Sequence, residues 1–208
     1  MFDTEEIFVR YPALEVCRAD MEKALEALTV CAKGSGKVLV CGNGGSAADS
    51  EHIVGELMKG FLKKRPLPQQ DVQRWRQAFG EEGAAVAQKL QGGIPAISLP
   101  SQSAILSAVC NDNDPASIYA QLAWNYTRPG DVLIGISTSG NAANVHQAAQ
   151  AAKLQGATVI GLTGQRESKL SAVADVTVRV PDPETYRIQE YHLPVYHWLC
   201  ACLEERMF

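Results

Sequence analysis

Apolar residues recur along this chain at two different periods. Over 13–33, Leu14, Cys17, Met21, Leu25 and Leu28 return at helical spacing, and Gly34 ends the run. Val38 to Cys41 is a short unbroken apolar run. It reads as a buried strand entering a glycine turn, Gly42-Asn43-Gly44-Gly45-Ser46, and then a helix capped by Ser46. Ile94–Leu99, Asp131–Ser137, Thr158–Leu162 and Val176–Val180 have the same strand character. Helical stretches are predicted at about 103–110, 115–126, 142–155 and 184–205, with Pro194 expected to kink or break the last. Strands alternating with helices predict an α/β fold, a three-layer αβα sandwich around a five-stranded parallel sheet. One domain over residues 1–208 is expected at this length.

One segment departs from the alternation. Lys63 to Gly93 is punctuated by Pro66, Pro68, Gly80, Gly83, Gly92 and Gly93, with a broken helical pattern of Val72, Trp75, Phe79, Val86 and Leu90. It reads as one or two short helices on a flexible insertion, either a solvated excursion or a lid. The basic cluster Lys59, Lys63, Lys64 and Arg65 beside it is expected to be solvated.

Composition narrows the class. A net charge of −4 and a pI near 5.6 speak against a nucleic-acid binder. No apolar run approaches the ~18 residues of a membrane span, and the acidic N-terminal stretch lacks the apolar core of a signal peptide. Six scattered cysteines without a CxxC pair fit reduced thiols in a cytoplasmic protein.

The candidate chemistry lies at strand ends. Backbone N–H groups of the glycine turn, at a helix N-terminus, can approach an anion. Ser137-Thr138-Ser139-Gly140 ends one strand and opens a helix, and three consecutive hydroxyls exceed what a helix cap needs. That loop is the predicted anion site. The chain has no P-loop lysine and no G-x-G-x-x-G, so a phosphomonoester fits better than a nucleotide. His52 and Glu56 share one helix face at i, i+4, and the last helix carries Gln189, His192 and His197. If the two helices meet, His52, Glu56, Gln189 and His197 can form an N/O site suited to zinc or a similar divalent ion.

CGNGGSAADSEH, LIGISTSGNAANV and RIQEYH resemble the signatures of the sugar isomerase (SIS) domain family, in its phosphoheptose isomerase branch. The resemblance covers nearly the whole chain outside Lys63–Gly93. It implies a flavodoxin-like SIS domain, a homotetramer with sites between subunits, and a phosphorylated sugar substrate isomerised between aldose and ketose. The branch's own reaction converts sedoheptulose 7-phosphate to glycero-manno-heptose 7-phosphate. By resemblance, Ser137, Thr138 and Ser139 bind phosphate, while Asn43, Gly44, Gly45 and Ser46, together with Asn111 and Asp112, contact the sugar. His52, Glu56, Gln189 and His197 surround a zinc ion, and Glu56 and His197 act as general base and acid. Departures from the family pattern fall at Ala142 (usually serine), Gly60 (usually arginine) and Tyr186 (commonly aspartate), with Pro194 also unusual. Two other readings remain open: a relative that binds the bacterial replication initiator without turnover, or a sugar-phosphate sensor.

Overall fold

The computed structural model describes residues 2–208. Five strands, β1 (Val38–Gly42), β2 (Ala96–Ser98), β3 (Val132–Ile136), β4 (Thr158–Gly164) and β5 (Val176–Val180), form one sheet in the order β2-β1-β3-β4-β5. Every neighbouring pair is parallel. Such a sheet is covered on both faces, which is why β1 and β3 are buried at every position.

Alternation within each strand divides the core. Val38, Val40, Val132, Ile134, Ile160 and Val178 face one layer of helices: α1 (Glu6–Arg10), α2 (Arg18–Lys33), α3 (Gly45–Met58) and α9 (Thr185–Met207). Leu39, Cys41, Leu133 and Val159 face the other layer, where α6 (Ile118–Tyr126), α7 (Ala143–Leu154) and α8 (Lys169–Val173) contribute Tyr119, Leu122, Ala148, Ala149 and Leu170. Alanines on α7 let it lie close to the sheet. The fold class is the one expected.

Local details differ from the sequence reading. The predicted helix over 13–33 opens as a 3-10 turn, Pro12–Cys17, because Pro12 fixes φ at the start. The short α8 was not anticipated. Pro194 does not break α9, which runs continuously to Met207. Proline removes only the hydrogen bond to the carbonyl four residues back, at Glu190, which lies on an exposed residue that water can reach.

The 63–93 segment holds α4 (Gln69–Ala87), two helical pieces meeting at a kink, as the one or two short helices expected there. Its one break is at Gly80, whose φ of 66° is open to glycine. Val72, Ala84 and Ala87 form a small core of their own with Leu67 and Trp75. A bridge between Pro66 and Gln91 closes the base of the excursion. Among the described residues no helix is long and apolar enough to cross a membrane.

Candidate active site

In this strand order the topological switch point lies between β1 and β3, where parallel sheets bind ligands outside their carboxyl ends. Gly42 and Ile136 are register partners, so the 43–46 turn and the 137–141 loop emerge side by side. The two loops are tied by a reciprocal amide pair. Asn43 Nδ2 donates to Asn144 Oδ1 and Asn144 Nδ2 to Asn43 Oδ1, both at 2.9 Å. The Tyr119 hydroxyl adds a bond of 2.8 Å to the Gly42 carbonyl and one of 3.3 Å to Asn43 Oδ1. Asn43 is thereby fixed while staying exposed.

The turn is sharper than expected. Gly44, at φ 55°, takes the N-cap position, and Ser46 lies buried inside the first turn of α3 instead of capping it. Gly45 is small for a reason: a Cβ there would sit 2.9 Å from Gln189 Nε2, so the glutamine amide lies directly over the start of α3.

The hydroxyl loop is built from its own backbone. Gly140 N–H donates to the Ser137 carbonyl, and Ser139 Oγ accepts from Asn141 N–H. Thr138 and Ser139 line a cavity of about 180 Å³ with Asn141, Arg166 and Thr185. Arg166 is the cation of that lining, which also carries the carboxylates Glu167 and Asp182. The sequence reading passed over it because its loop after β4 carries no motif. The expected Asn111-Asp112 gap between helices is instead the last turn of α5 (Ser103–Asp112), where the two exposed side chains hydrogen-bond to each other at 2.7 Å.

The imidazole–carboxylate cluster forms where α3 and α9 run alongside each other. His52 Nε2 is 3.2 Å from Glu56 Oε1 and 3.4 Å from His197 Nε2. Lys59 Nζ is 3.3 Å from Glu56 Oε2, and the Phe61 ring packs 5.4 Å from that of His197. Burial pushes His197 below its usual pKa, helped by the facing His52 and opposed by Glu56. His197 is therefore a neutral imidazole at pH 7. Tyr196 and Asp49, neither anticipated, stand behind His52: the Tyr196 hydroxyl is 3.2 Å from Asp49 Oδ1 and 3.0 Å from His52 Nδ1. Burial raises the Asp49 pKa against the opposing Tyr196 bond and His52. Three of the four expected ligands thus come together. Gln189 sits at Gly45, seven residues before His52 on α3, or roughly 10 Å along the axis at 1.5 Å per residue.

The donor types suit zinc. The two separations from His52 approach the edge of a tetrahedron with ligand bonds near 2.1 Å, which is about 3.4 Å. Among the described residues, no three His, Cys, Asp or Glu side chains are already arranged to hold a metal. What the chain provides is an open pair of edges sharing His52. A divalent ion fits this donor set in kind, with His52, Glu56 and His197 as its holders.

Below the cluster lies a buried ion pair. Arg65 was expected in solvent, but its side chain is 1% exposed and bonds Glu204 Oε1 at 2.7 Å. Its guanidinium also donates to the Leu57 carbonyl at 2.8 Å and to the Glu56 carbonyl, closing the C-terminus of α3. Glu204 in turn accepts the backbone N–H groups of Phe61, Leu62 and Lys63 at 2.8–3.0 Å. Burial alone would raise the Glu204 pKa. The Phe61 and Leu62 N–H groups and Arg65 outweigh it and hold the carboxyl below its ordinary value.

His192 takes no part in the cluster. It is fully buried, with Nε2 3.4 Å from the Thr163 carbonyl and Nδ1 without a partner. Burial pushes it down to about 4 against the opposing Thr163 bond. Unfolded histidine titrates near 6.5, so between pH ~6.5 and ~4 only the unfolded chain takes up the proton. Stability should fall by about 3 kcal/mol as pH drops through that window, and level off below it. Urea midpoints at pH 7 and 4.5 check this. His192→Gln should lose this part of the pH dependence, and an unchanged dependence would remove the assignment.

Comparisons with known proteins match the family and the fold. The SIS domain pattern matches residues 13–91 and 77–164. The phosphoheptose isomerase of Rhodospirillum rubrum is 36% identical over 191 residues, 92% of this chain and 88% of the relative. The chain belongs to the SIS domain family, among relatives called phosphoheptose isomerases. That of Shewanella denitrificans is 34% identical over 208 residues, covering 99% of this chain and 93% of the relative. The phosphoheptose isomerase structure from Neisseria gonorrhoeae superposes with a TM-score of 0.75 at 32% identity, covering 97% of this chain and 94% of that one. The structure from Francisella tularensis gives 0.74 at 25% identity, covering 99% of this chain and all of that one.

Proposed function

We propose that this SIS protein is a phosphosugar aldose–ketose isomerase, with sedoheptulose 7-phosphate as substrate and glycero-manno-heptose 7-phosphate as product. The observation that carries the reading is the cluster of Glu56, His52 and His197, on α3 and α9, in a chain whose switch point also carries the 137–139 hydroxyl loop. The relatives' names give the substrate class.

The Ser137–Ser139 loop and the N-terminus of α7 hold the phosphate, with Arg166 adding positive charge. Asn43, locked by Asn144, hydrogen-bonds the sugar hydroxyls, and Gln189 lies over the same turn. Glu56, only 13% exposed, removes a proton from C1 of the ketose, exchanges it with solvent and protonates C2 of the enediol. Neutral His197 carries a proton from the C1 hydroxyl to the C2 oxygen, so that no charge is stranded on an oxygen. A divalent ion bound by His52, Glu56 and His197 would supply positive charge for the developing oxyanion. The Phe61 ring covers one side of His197 and limits water at the proton path.

Assembly is part of the proposal. His197 opens into an apolar groove of about 570 Å³ lined by Phe61, Leu62, Leu193, Pro194 and Trp198. Ile105 and Trp124 expose further apolar area. Such surfaces fit a homotetramer with sites near subunit contacts. The cytoplasm suits a protein with five buried free cysteines.

A panel of five- to seven-carbon ketose phosphates, read by NMR for the matching aldose, tests the activity. Turnover of the seven-carbon substrate above the others supports it. No turnover on any member would favour a binding or sensing role.

A further inference from the structure

His52 is usually read by what its Nε2 faces. Its other nitrogen carries as much information. Asp49 and His52 lie three residues apart on α3 and so share a face. Tyr196, 2% exposed, reaches both from α9, with its hydroxyl 3.2 Å from Asp49 Oδ1 and 3.0 Å from His52 Nδ1. The His52 and Tyr196 rings meet edge to face at 5.4 Å, so the imidazole is held on its flank as well.

The hydroxyl has one proton and the carboxylate none to give, which sets the direction of the chain. Tyr196 donates to Asp49, and its oxygen is left to accept. An N–H at His52 Nδ1 satisfies that oxygen, in competition with the other tautomer, whose Nε2–H would donate to Glu56 Oε1. The Nε2 lone pair is then directed at Glu56 Oε1 and His197 Nε2, 3.2 and 3.4 Å away.

We propose that Asp49 and Tyr196 are positioning residues that hold His52 in its Nδ1–H form and aim the Nε2 lone pair into the cluster. A histidine so wired is a ready donor to a cation, because its outer nitrogen is anchored and its inner one is free. The wiring deepens the isomerase reading. Its test needs no turnover, so failure of one is distinguishable from failure of the other.

The experiment is long-range 15N–1H NMR on chelator-treated, histidine-labelled protein at pH 8, with His52 assigned by its loss in His52→Gln. The wild type should show the His52 proton on Nδ1. Tyr196→Phe keeps the ring and removes only the hydroxyl. It should move His52 toward the Nε2–H form, where Glu56 becomes the acceptor. Asp49→Asn should shift it the same way, since the amide can donate to the Tyr196 oxygen and reverse the chain. Zinc affinity, measured by competition with a chromophoric chelator, should fall roughly 10–100-fold in Tyr196→Phe. Thermal midpoints of both variants serve as the fold control. A wild-type His52 that carries its proton on Nε2 would overturn the proposal. So would a Tyr196→Phe protein with the wild-type tautomer and zinc affinity.

Discussion

Glu56→Gln lowers kcat by roughly 10²–10⁴-fold, the usual contribution of a positioned general base, and leaves the fold intact. Glutamine keeps the volume of the side chain, which is 13% exposed, so packing beside His52 and Lys59 barely changes. What disappears is the carboxylate proposed to take the proton from carbon. KM should change little, because the phosphate and sugar contacts lie at Ser137–Ser139 and Asn43. His197→Ala should lose activity over the same range. Combining the two should cost little more than either alone, since both act on one proton path. Steady-state kinetics with circular dichroism as the fold control decide this. Wild-type kcat in Glu56→Gln would remove Glu56 from its role.

The largest stability effect is expected at Glu204→Ala, a loss of about 3–5 kcal/mol. Arg65 would be left charged and 1% exposed without its partner. Three backbone N–H groups, of Phe61, Leu62 and Lys63, would lose their acceptor as well. Those donors make this pair unlike an isolated buried ion pair, which an apolar substitution can relieve. The double replacement Arg65→Met with Glu204→Leu should therefore recover only part of the loss. Urea denaturation measures both. A double variant as stable as the wild type would show that the backbone donors find water instead.

The effect would reach the site. Glu204 fixes the backbone at Phe61, whose ring lies on His197, and Arg65 closes the end of the helix that carries Glu56. The excursion at 63–93 is thus anchored at its base by the pair that also steadies the cluster.

Much of the fold was legible because it rests on local pattern. Val38–Cys41 and Asp131–Ser137 are continuous apolar runs, and only a parallel strand covered on both sides wants that. The cluster was legible in part. His52 and Glu56 declare a shared face by spacing alone, but nothing in spacing says that α9 lies alongside with His197 at the same level. The family motifs suggested that meeting, and tertiary packing makes it. Arg65 was misread as solvated because its partner is 139 residues away. Tyr196 and Asp49 were missed for the same reason, since they stand 147 residues apart and meet only through packing. Ser46 was taken for a cap by residue type, whereas the positive φ of Gly44 lets the helix begin two residues earlier. Gln189 matched the ligand set by motif, yet its amide lies over Gly45 at the start of α3.

The most direct test is to incubate sedoheptulose 7-phosphate with the protein in D2O and follow the products by 1H and 13C NMR. An enediol formed by Glu56 exchanges its proton with solvent, so the aldose 7-phosphate should appear with deuterium at C2. The Glu56→Gln protein should form none on the same timescale. An aldose whose C2 carries only hydrogen transferred from C1 would contradict exchange of the Glu56 proton with solvent. Unchanged ketose in the presence of wild-type protein would contradict isomerisation of this substrate altogether.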